Sequence, residues 1–542
     1  MRCGESTARR SAQRVGQPAA VLLSVLLLMA GILPAPVLAE PSATGARPNV
    51  VFFFIDTLRA DRLHCYGHTR PTSPSLDRLA ARGVLFERAM SQAAWSLPSY
   101  ASIFTSLYPP AHGVMAPAQR LAPATRTLAG ILSACGYRTA AFPGGGHLMP
   151  VFGLNAGFQT YRSAGGGASL GYTVPSAVRW LDEEAGTGPF FLLVHGYDVH
   201  CPYSAPLGFS ELYDPAYRGL VHQPGFLQPD VLDNIHGNTC DLSRLAPFEP
   251  SCLNQVFTPR RQRAVLPPFD PERSWRESGG PAVLSPAAGE EAVPPGPIAM
   301  GPGGLPFLPP QCRLPLSAAD LEHLRAHYDG ALTYADTWLG LFFEALEARG
   351  LASNTIVFVA GDHGEELGEH GRFSHGLDLR DSLLHVPLVA CGPGLAVGRR
   401  IGQLVELTDL APTVLDLCAI PASRRHQGRS LVPLLRPGAP PVEDPERAAF
   451  SFDVDKLSIR TQRWRLVWSQ APAGQTTGTQ QLFDLSADPE EQWDVSSREP
   501  RTVEALRSRL LDLSENLAVS TGASKATFTP EAHRFMRLFG YW

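Results

Sequence analysis

Lysine is almost missing from the 542 residues: Lys456 and Lys525 are the two present, both far downstream. Any side-chain cation nearer the amino end is therefore arginine or histidine, unless a bound metal does the same work. Long blocks of one charge are also lacking and the formal net charge is only −5, so there is no electrostatic footprint for a nucleic acid or an anionic membrane surface. Close Cys-x-x-Cys pairs are absent, which argues against a thiolate zinc site. The longest apolar run near the start, residues 19–33, falls short of the ~20 residues of a membrane helix.

That run follows a basic start (Arg2, Arg9, Arg10, Arg14) and precedes Val37-Leu38-Ala39. This is the composition of a secretory signal peptide over residues 1–39, cut after Ala39. Arg9-Arg10 lacks the hydrophobic residues of a twin-arginine signal. The expectation is an exported protein, periplasmic or secreted, with no stable membrane span after cleavage. Losing Cys3 leaves an even number of the nine cysteines, in a compartment where disulfides form. Cys201, Cys240, Cys252 and Cys312 lie in or beside one irregular segment and are the expected bridge-formers.

With 44% apolar residues, a chain of this length can bury a large core, as one big domain plus a smaller one. Short, fully apolar runs alternate with helical patterns, the mark of an α/β fold with a mostly parallel sheet sandwiched by helices. The runs are Asn49–Ile55, residues 139–142, 190–194, 355–360 and 386–390. Helices are expected from Pro74 to Gly83 behind Ser73, over about 320–349, and near 408–417. Residues 46–440 make the expected catalytic domain. A proline-rich insertion over 218–316 reads as a disulfide-stapled lid. Residues 441–542 carry short antiparallel strands and a helix near 502–513, a smaller C-terminal α+β subdomain.

Ligand-capable residues stand at the carboxyl ends of the apolar runs, the edge where open α/β sheets bind ligands. Asp56 follows the first run, Gly144-Gly145-Gly146-His147 the second, His195 the third and Asp362-His363 the fourth. An Asp at a strand end either caps the next helix or meets a cation. Ser96, two residues before Pro98, falls at a helix start, where backbone N–H groups favour an anion. It is an N-cap or a nucleophile, and it lacks the Gly-x-Ser-x-Gly elbow of a metal-independent serine hydrolase. The stretch from Gly361 to Gly376 packs Gly, His and acids together more densely than packing requires, and adjacent Asp and His can both reach a metal.

Together, Asp56-Thr57-Leu58-Arg59-Ala60-Asp61, Ser96-Leu97-Pro98-Ser99, Asp362-His363-Gly364-Glu365, Thr408-Asp409-Leu410-Ala411-Pro412-Thr413, Gly428-Arg429-Ser430-Leu431 and Leu482-Phe483-Asp484-Leu485 resemble the sulfatase family of the alkaline-phosphatase superfamily. The resemblance spans most of the chain outside the insertion. It implies an alkaline-phosphatase-like fold and a metal-dependent hydrolase of sulfate esters, with phosphate mono- or diesters equally open. One divalent ion, Ca2+ or Mn2+, would be held by Asp56, Ser96, Asp362 and His363, with Ser96 as nucleophile. His200 would contact the leaving oxygen or a transferred-group oxygen, and His375 would bind the transferred group. His147 and Arg59 are candidate substrate contacts, and the substrate is a small-molecule, glycan or lipid ester.

Two positions depart from the family pattern. Its maturation motif, in which the first residue is oxidised to formylglycine, ends in Arg; Tyr100 stands there instead and argues against conversion of Ser96. Thr57 replaces the second metal-binding Asp of many sulfatases, as in relatives resembling phosphonate monoester hydrolases. The competing reading is a catalytically silent, sulfatase-like binding protein.

Overall fold

The computed structural model describes residues 47–164, 167–201, 203, 205–206, 208–218, 317–376, 378–440, 444–470, 478–517 and 524–525. The expected signal peptide, and the insertion with Cys240, Cys252 and Cys312, lie outside the described residues.

The run Asn49–Ile55 forms β1, every residue of it buried. Alternation along a strand sends successive side chains to opposite faces. Val50, Phe52 and Phe54 enter one core and Val51, Phe53 and Ile55 another. A continuous apolar run is what a strand covered on both sides requires. The other strands of this sheet are β2 (Val84–Met90), β3 (Arg138–Phe142), β4 (Thr160–Tyr161), β5 (Phe190–Gly196), β6 (Thr355–Gly361), β7 (His385–Cys391) and β8 (Arg399–Glu406). Their order is β8-β2-β7-β6-β1-β5-β3-β4. β7 is antiparallel to both its neighbours, while β8 runs parallel to β2 and the strands from β6 to β4 run parallel to one another. The sheet is thus mixed and mostly parallel.

Helices cover both faces. The first core takes α2 (Ser96–Thr105), α3 (Leu128–Ala134) and α6 (Leu410–Leu417); the second takes α1 (Pro74–Ala81), α4 (Leu170–Glu183) and α5 (Ala318–Ala348). The 31-residue α5 opens on a capping box in which Ser317 and Asp320 each satisfy the other's backbone N–H. Four strands, β9 (Ala449–Phe452), β10 (Lys456–Arg460), β11 (Trp464–Ser469) and β12 (Thr479–Asp484), form an antiparallel sheet in chain order. α7 (Pro500–Asn516) packs on it through Val503, Leu506 and Leu510.

This second sheet grips the active edge of the first. Arg460 and Arg465 both bind Asp381, Glu491 accepts the Asp381 N–H at 2.7 Å, and Val467 and Phe483 pack with Leu383 and Leu384. The short helix Asp381–Leu384 then takes Gly364 N–H on the Leu383 carbonyl at 2.7 Å. A Cβ at Gly364 would lie 2.0 Å from the Ser382 carbonyl oxygen, so only glycine permits this approach. Among the described residues, no helix is long and apolar enough to cross a membrane.

A pH-sensitive clasp closes the same region. The hairpin Glu366–Leu367 and Phe373–Ser374 carries His370 at its tip, with Nδ1 2.7 Å from Glu366 Oε1 and Nε2 2.9 Å from the Glu490 carbonyl. Both partners are acceptors, so the ring holds both only as imidazolium. Burial opposes the charge, but the Glu366 hydrogen bond and charge raise the pKa above the ordinary 6.5. A raised histidine stabilises fully below its unfolded value and loses that contribution as pH rises through the folded one. His370→Leu should therefore lower stability by about 1 kcal/mol at pH 5.5, a gap that narrows above pH 8. Denaturant titrations at the two pH values check this; a gap that widens with pH would count against the clasp.

Candidate active site

Parallel register aligns the strand ends. Phe54 of β1 faces His195 of β5, and Ile55 faces Gly361 of β6, so Asp56, His195 and Asp362-His363 emerge together. The peptide after β2 delivers Ser96 as the first residue of α2, with Trp95 as its cap. Sequence reasoning put Ser96 just before the helix; the structure sets it one residue inside, still among the N-terminal N–H groups that favour an anion. Ser99 Oγ donates to the Asp362 carbonyl at 2.7 Å, fixing α2 against the end of β6.

Asp56, Ser96, Asp362 and His363 meet as one buried group, each fully shielded from solvent. Ser96 Oγ lies 3.3 Å from Asp56 Oδ2 and 3.2 Å from His363 Nε2. His363 Nδ1 is 2.9 Å from the Gly364 carbonyl, so that nitrogen carries the proton and Nε2 a lone pair. The Nε2 atom stands 3.8 Å from Asp56 Oδ1 and 3.5 Å from Asp362 Oδ2. Neither of those carboxylate oxygens has a hydrogen-bond donor among the described residues. Buried lone pairs converging without donors are costly. Ligand atoms of Asp56, Asp362 and His363 lie within 4.8 Å of one another, and a divalent cation is the group such a donor set fits.

The electrostatics agree. For Asp56, burial works to raise the pKa, but the His195 hydrogen bond opposes it and the carboxyl stays below the ordinary range. Burial and then the Asp56 charge push Asp362 well up: two adjacent buried carboxylates do not both ionise unless a cation joins them. Burial, reinforced by His375, takes His363 down to about 3, keeping the imidazole neutral, the form that can ligate a metal. Thr57, between Asp56 and Leu58, sits at φ 55°, a strained region for a β-branched residue. There its N–H reaches Asp362 Oδ1 at 3.3 Å and its carbonyl accepts from Tyr328 at 2.8 Å.

The histidines gather alongside. His375 packs 4.6 Å from His363 and 4.9 Å from His200 between ring centroids, and its Nδ1 is 3.3 Å from Glu365 Oε2. His200 Nδ1–H donates to the Cys201 carbonyl; burial and then His375 lower its pKa. His147 lies 5.2 Å from Trp95, next in sequence to Ser96, and burial takes it to about 3.

Arg59, expected as a substrate contact, is buried and paired within the protein. Its guanidinium binds Asp61 at 2.6 Å, Glu369 at 2.8 Å and the Glu365 carbonyl at 2.7 Å. Those contacts use most of its donors and tie it to the Glu365–Glu369 loop. Two neighbours were not assigned roles from sequence. His195 is 3.3 Å from Asp56 Oδ2 and accepts Gly144 N–H on Nδ1 at 3.2 Å, which places its proton on Nε2, toward Asp56. The signal was its position at a strand end, the same as that of Asp56. Glu365, fully buried, had as its signal only its place in the dense loop.

Comparison with known proteins bears on this arrangement. The family described as Sulfatase matches residues 48–420, and the one described as N-sulphoglucosamine sulphohydrolase, C-terminal, matches 368–516. An arylsulfatase of Clostridium perfringens is 26% identical over 464 residues, 82% of this chain and 89% of its own. Arylsulfatase K of Gallus gallus is 31% identical over 206 residues, but the match takes in only 36% of this chain and 38% of that one. Among solved structures, the phosphonate monoester hydrolase of Agrobacterium radiobacter superposes with a TM-score of 0.62 at 21% identity, covering 89% of this chain and all of that one.

Proposed function

The chain belongs to the sulfatase family of the alkaline-phosphatase superfamily, and we propose that it hydrolyses sulfate or phosphate esters with Ser96 as nucleophile. The observation that carries this is the Ser96 hydroxyl held between Asp56 Oδ2 and His363 Nε2, beside two carboxylate oxygens that lack donors among the described residues. Residues 46–440 form the catalytic domain in this reading, and 441–542 the part that braces it. The signal-like residues 1–39 support an exported enzyme, and the substrate is a small-molecule, glycan or lipid ester.

Asp56, Asp362, His363 and Ser96 Oγ would hold one divalent ion, Ca2+ or Mn2+. When bound, such an ion lowers the serine pKa and neutralises charge on the transferred group. The chain's own groups do the rest. His195 Nε2–H steadies Asp56, and the N-terminal N–H groups of α2 face the incoming anion. Ser96 oxygen attacks sulfur or phosphorus in line with the leaving alcohol. His375, oriented by Glu365, binds a non-bridging oxygen. His200 keeps Nδ1–H on the Cys201 carbonyl, so its Nε2 is the atom that passes a proton to the leaving oxygen; the ring takes that proton up from solvent once the anionic ester, bound beside it, offsets the burial that lowers its pKa.

Metal-replete protein should hydrolyse an aryl sulfate or aryl phosphate, and Ser96→Ala should lower the rate on the order of 10^3-fold or more while metal content is followed separately. A parent protein inactive on both esters at full metal occupancy would favour the binding-protein reading.

A further inference from the structure

The first turns of α5 carry His323 and His327, four residues apart and so on one face of the helix. Their Nε2 atoms stand 3.0 Å apart, with the rings edge-on at 4.6 Å between centroids. His323 Nδ1 lies 3.0 Å from Asp214 Oδ2. Tyr217 stacks on the His323 ring at 3.7 Å, and the Tyr217 hydroxyl donates to Asp320. With Nδ1–H given to Asp214, His323 Nε2 presents a lone pair toward His327.

Three features of this arrangement match a metal-binding pair. Histidines at i and i+4 of a helix can reach one ion. A carboxylate on the far nitrogen fixes the tautomer and raises the basicity of a ligating imidazole. An ion about 2.0–2.1 Å from each nitrogen would, at this separation, hold the two at an angle of roughly 91–97°, close to that of tetragonal sites and a small ring shift from tetrahedral ones. An N–H···N hydrogen bond from His327 accounts for the same distance and uses the same His323 tautomer, so zinc binding itself separates the two readings.

We propose that His323 and His327 form a second metal site, for a late first-row divalent ion such as Zn2+, backed by Asp214. It shares no residue with the Ser96 centre. Its effect is to clip the segment bearing Asp214 and Tyr217 onto α5. Nitrogen ligands suit zinc better than the hard, carboxylate-rich centre suits it.

Zn2+ is titrated calorimetrically into the full chain, into His323→Ala/His327→Ala and into Asp214→Asn, each in the wild-type and Asp362→Ala backgrounds. The double histidine variant should lose one equivalent of zinc in both backgrounds, and Asp214→Asn should weaken that equivalent about tenfold. The Asp362→Ala background separates this site from the Ser96 centre: if that centre fails to bind metal at all, the histidine-dependent equivalent still appears. His327→Gln serves should the double variant not fold, and should weaken zinc at least tenfold. Unchanged stoichiometry and affinity in the histidine variants would mean a hydrogen-bonded pair only and would overturn the proposal.

Discussion

Replacing Asp362 by alanine should remove tight divalent-metal binding and lower ester hydrolysis by at least on the order of 10^3-fold, yet leave the metal-free protein more stable than the parent. The first two effects follow from the donor set. Asp362 supplies one of two carboxylates in a fully buried group, and a neutral serine and a neutral histidine cannot replace its charge. The third follows from the sign of its pKa shift. Burial and the neighbouring Asp56 raise Asp362 well above its ordinary 3.8. A carboxyl raised by folding costs stability at every pH above its unfolded value, because the folded state must either take up a proton or hold two adjacent anions. Removing it should recover on the order of 1–2 kcal/mol in chelator, the range seen when buried ionic groups are replaced by neutral ones. Asp362→Asn keeps the shape and separates charge from packing. Metal content by elemental analysis and melting with and without chelator are the two measurements. Full metal occupancy in Asp362→Ala, or a lower melting temperature in chelator for Asp362→Asn, would sink the assignment.

Burial and register decide which parts of the molecule were legible before the structure and which were not. β1, β3, β5 and β6 stood out because a strand buried on both faces must be apolar throughout. β2 and β8 did not. Glu87 and Arg88 interrupt the first, and Arg399, Arg400 and Gln403 the second, because β8 lies at the sheet edge with partly solvated positions. The residues proposed as nucleophile and metal ligands were legible as candidates by their places at strand ends and a helix start. The His195–Asp56 contact was not, since it depends on register between strands far apart in sequence. Nor was the part played by Arg59, whose partner Glu369 lies 310 positions away. The bracing of Gly364 by Asp381, Arg465 and Glu491 depends on how the two sheets dock, and no local pattern encodes that.

The remaining expectation is that protein carrying unmodified Ser96 cleaves an aryl phosphate at least roughly tenfold faster, in kcat/KM, than the sulfate of the same phenol, a difference of about 1.4 kcal/mol in barrier. Tyr100 is fully buried, ringed by Phe54, Phe104 and His195, and occupies the position of the arginine that completes the maturation motif. Its phenol remains neutral, because burial and then the Asp362 and Asp56 charges raise its pKa. Without that arginine, Ser96 is expected to persist as serine. A formylglycine hydrate carries a second hydroxyl that expels sulfate and regenerates the aldehyde. A plain serine has no such exit, so its sulfate ester must wait for water to attack sulfur, and turnover stalls after one event. A serine phosphate is more tractable: water attacks phosphorus in line with the departing Ser96 oxygen, and the groups that stabilised that oxygen on the way in stabilise it on the way out. The family name pulls toward sulfate, and the likeness to a phosphonate monoester hydrolase shows only a shared fold. The comparison therefore uses one aryl leaving group on both esters, metal-replete protein, and the mass of the peptide containing Ser96 to establish that it is unoxidised. Burst kinetics add a second reading, since one equivalent of phenol released from the sulfate without further turnover is the signature of a trapped serine sulfate. Sustained sulfate turnover faster than phosphate turnover by protein with intact Ser96 would show that water reaches sulfur as readily as phosphorus here, and that Tyr100 does not decide which ester the enzyme cleaves.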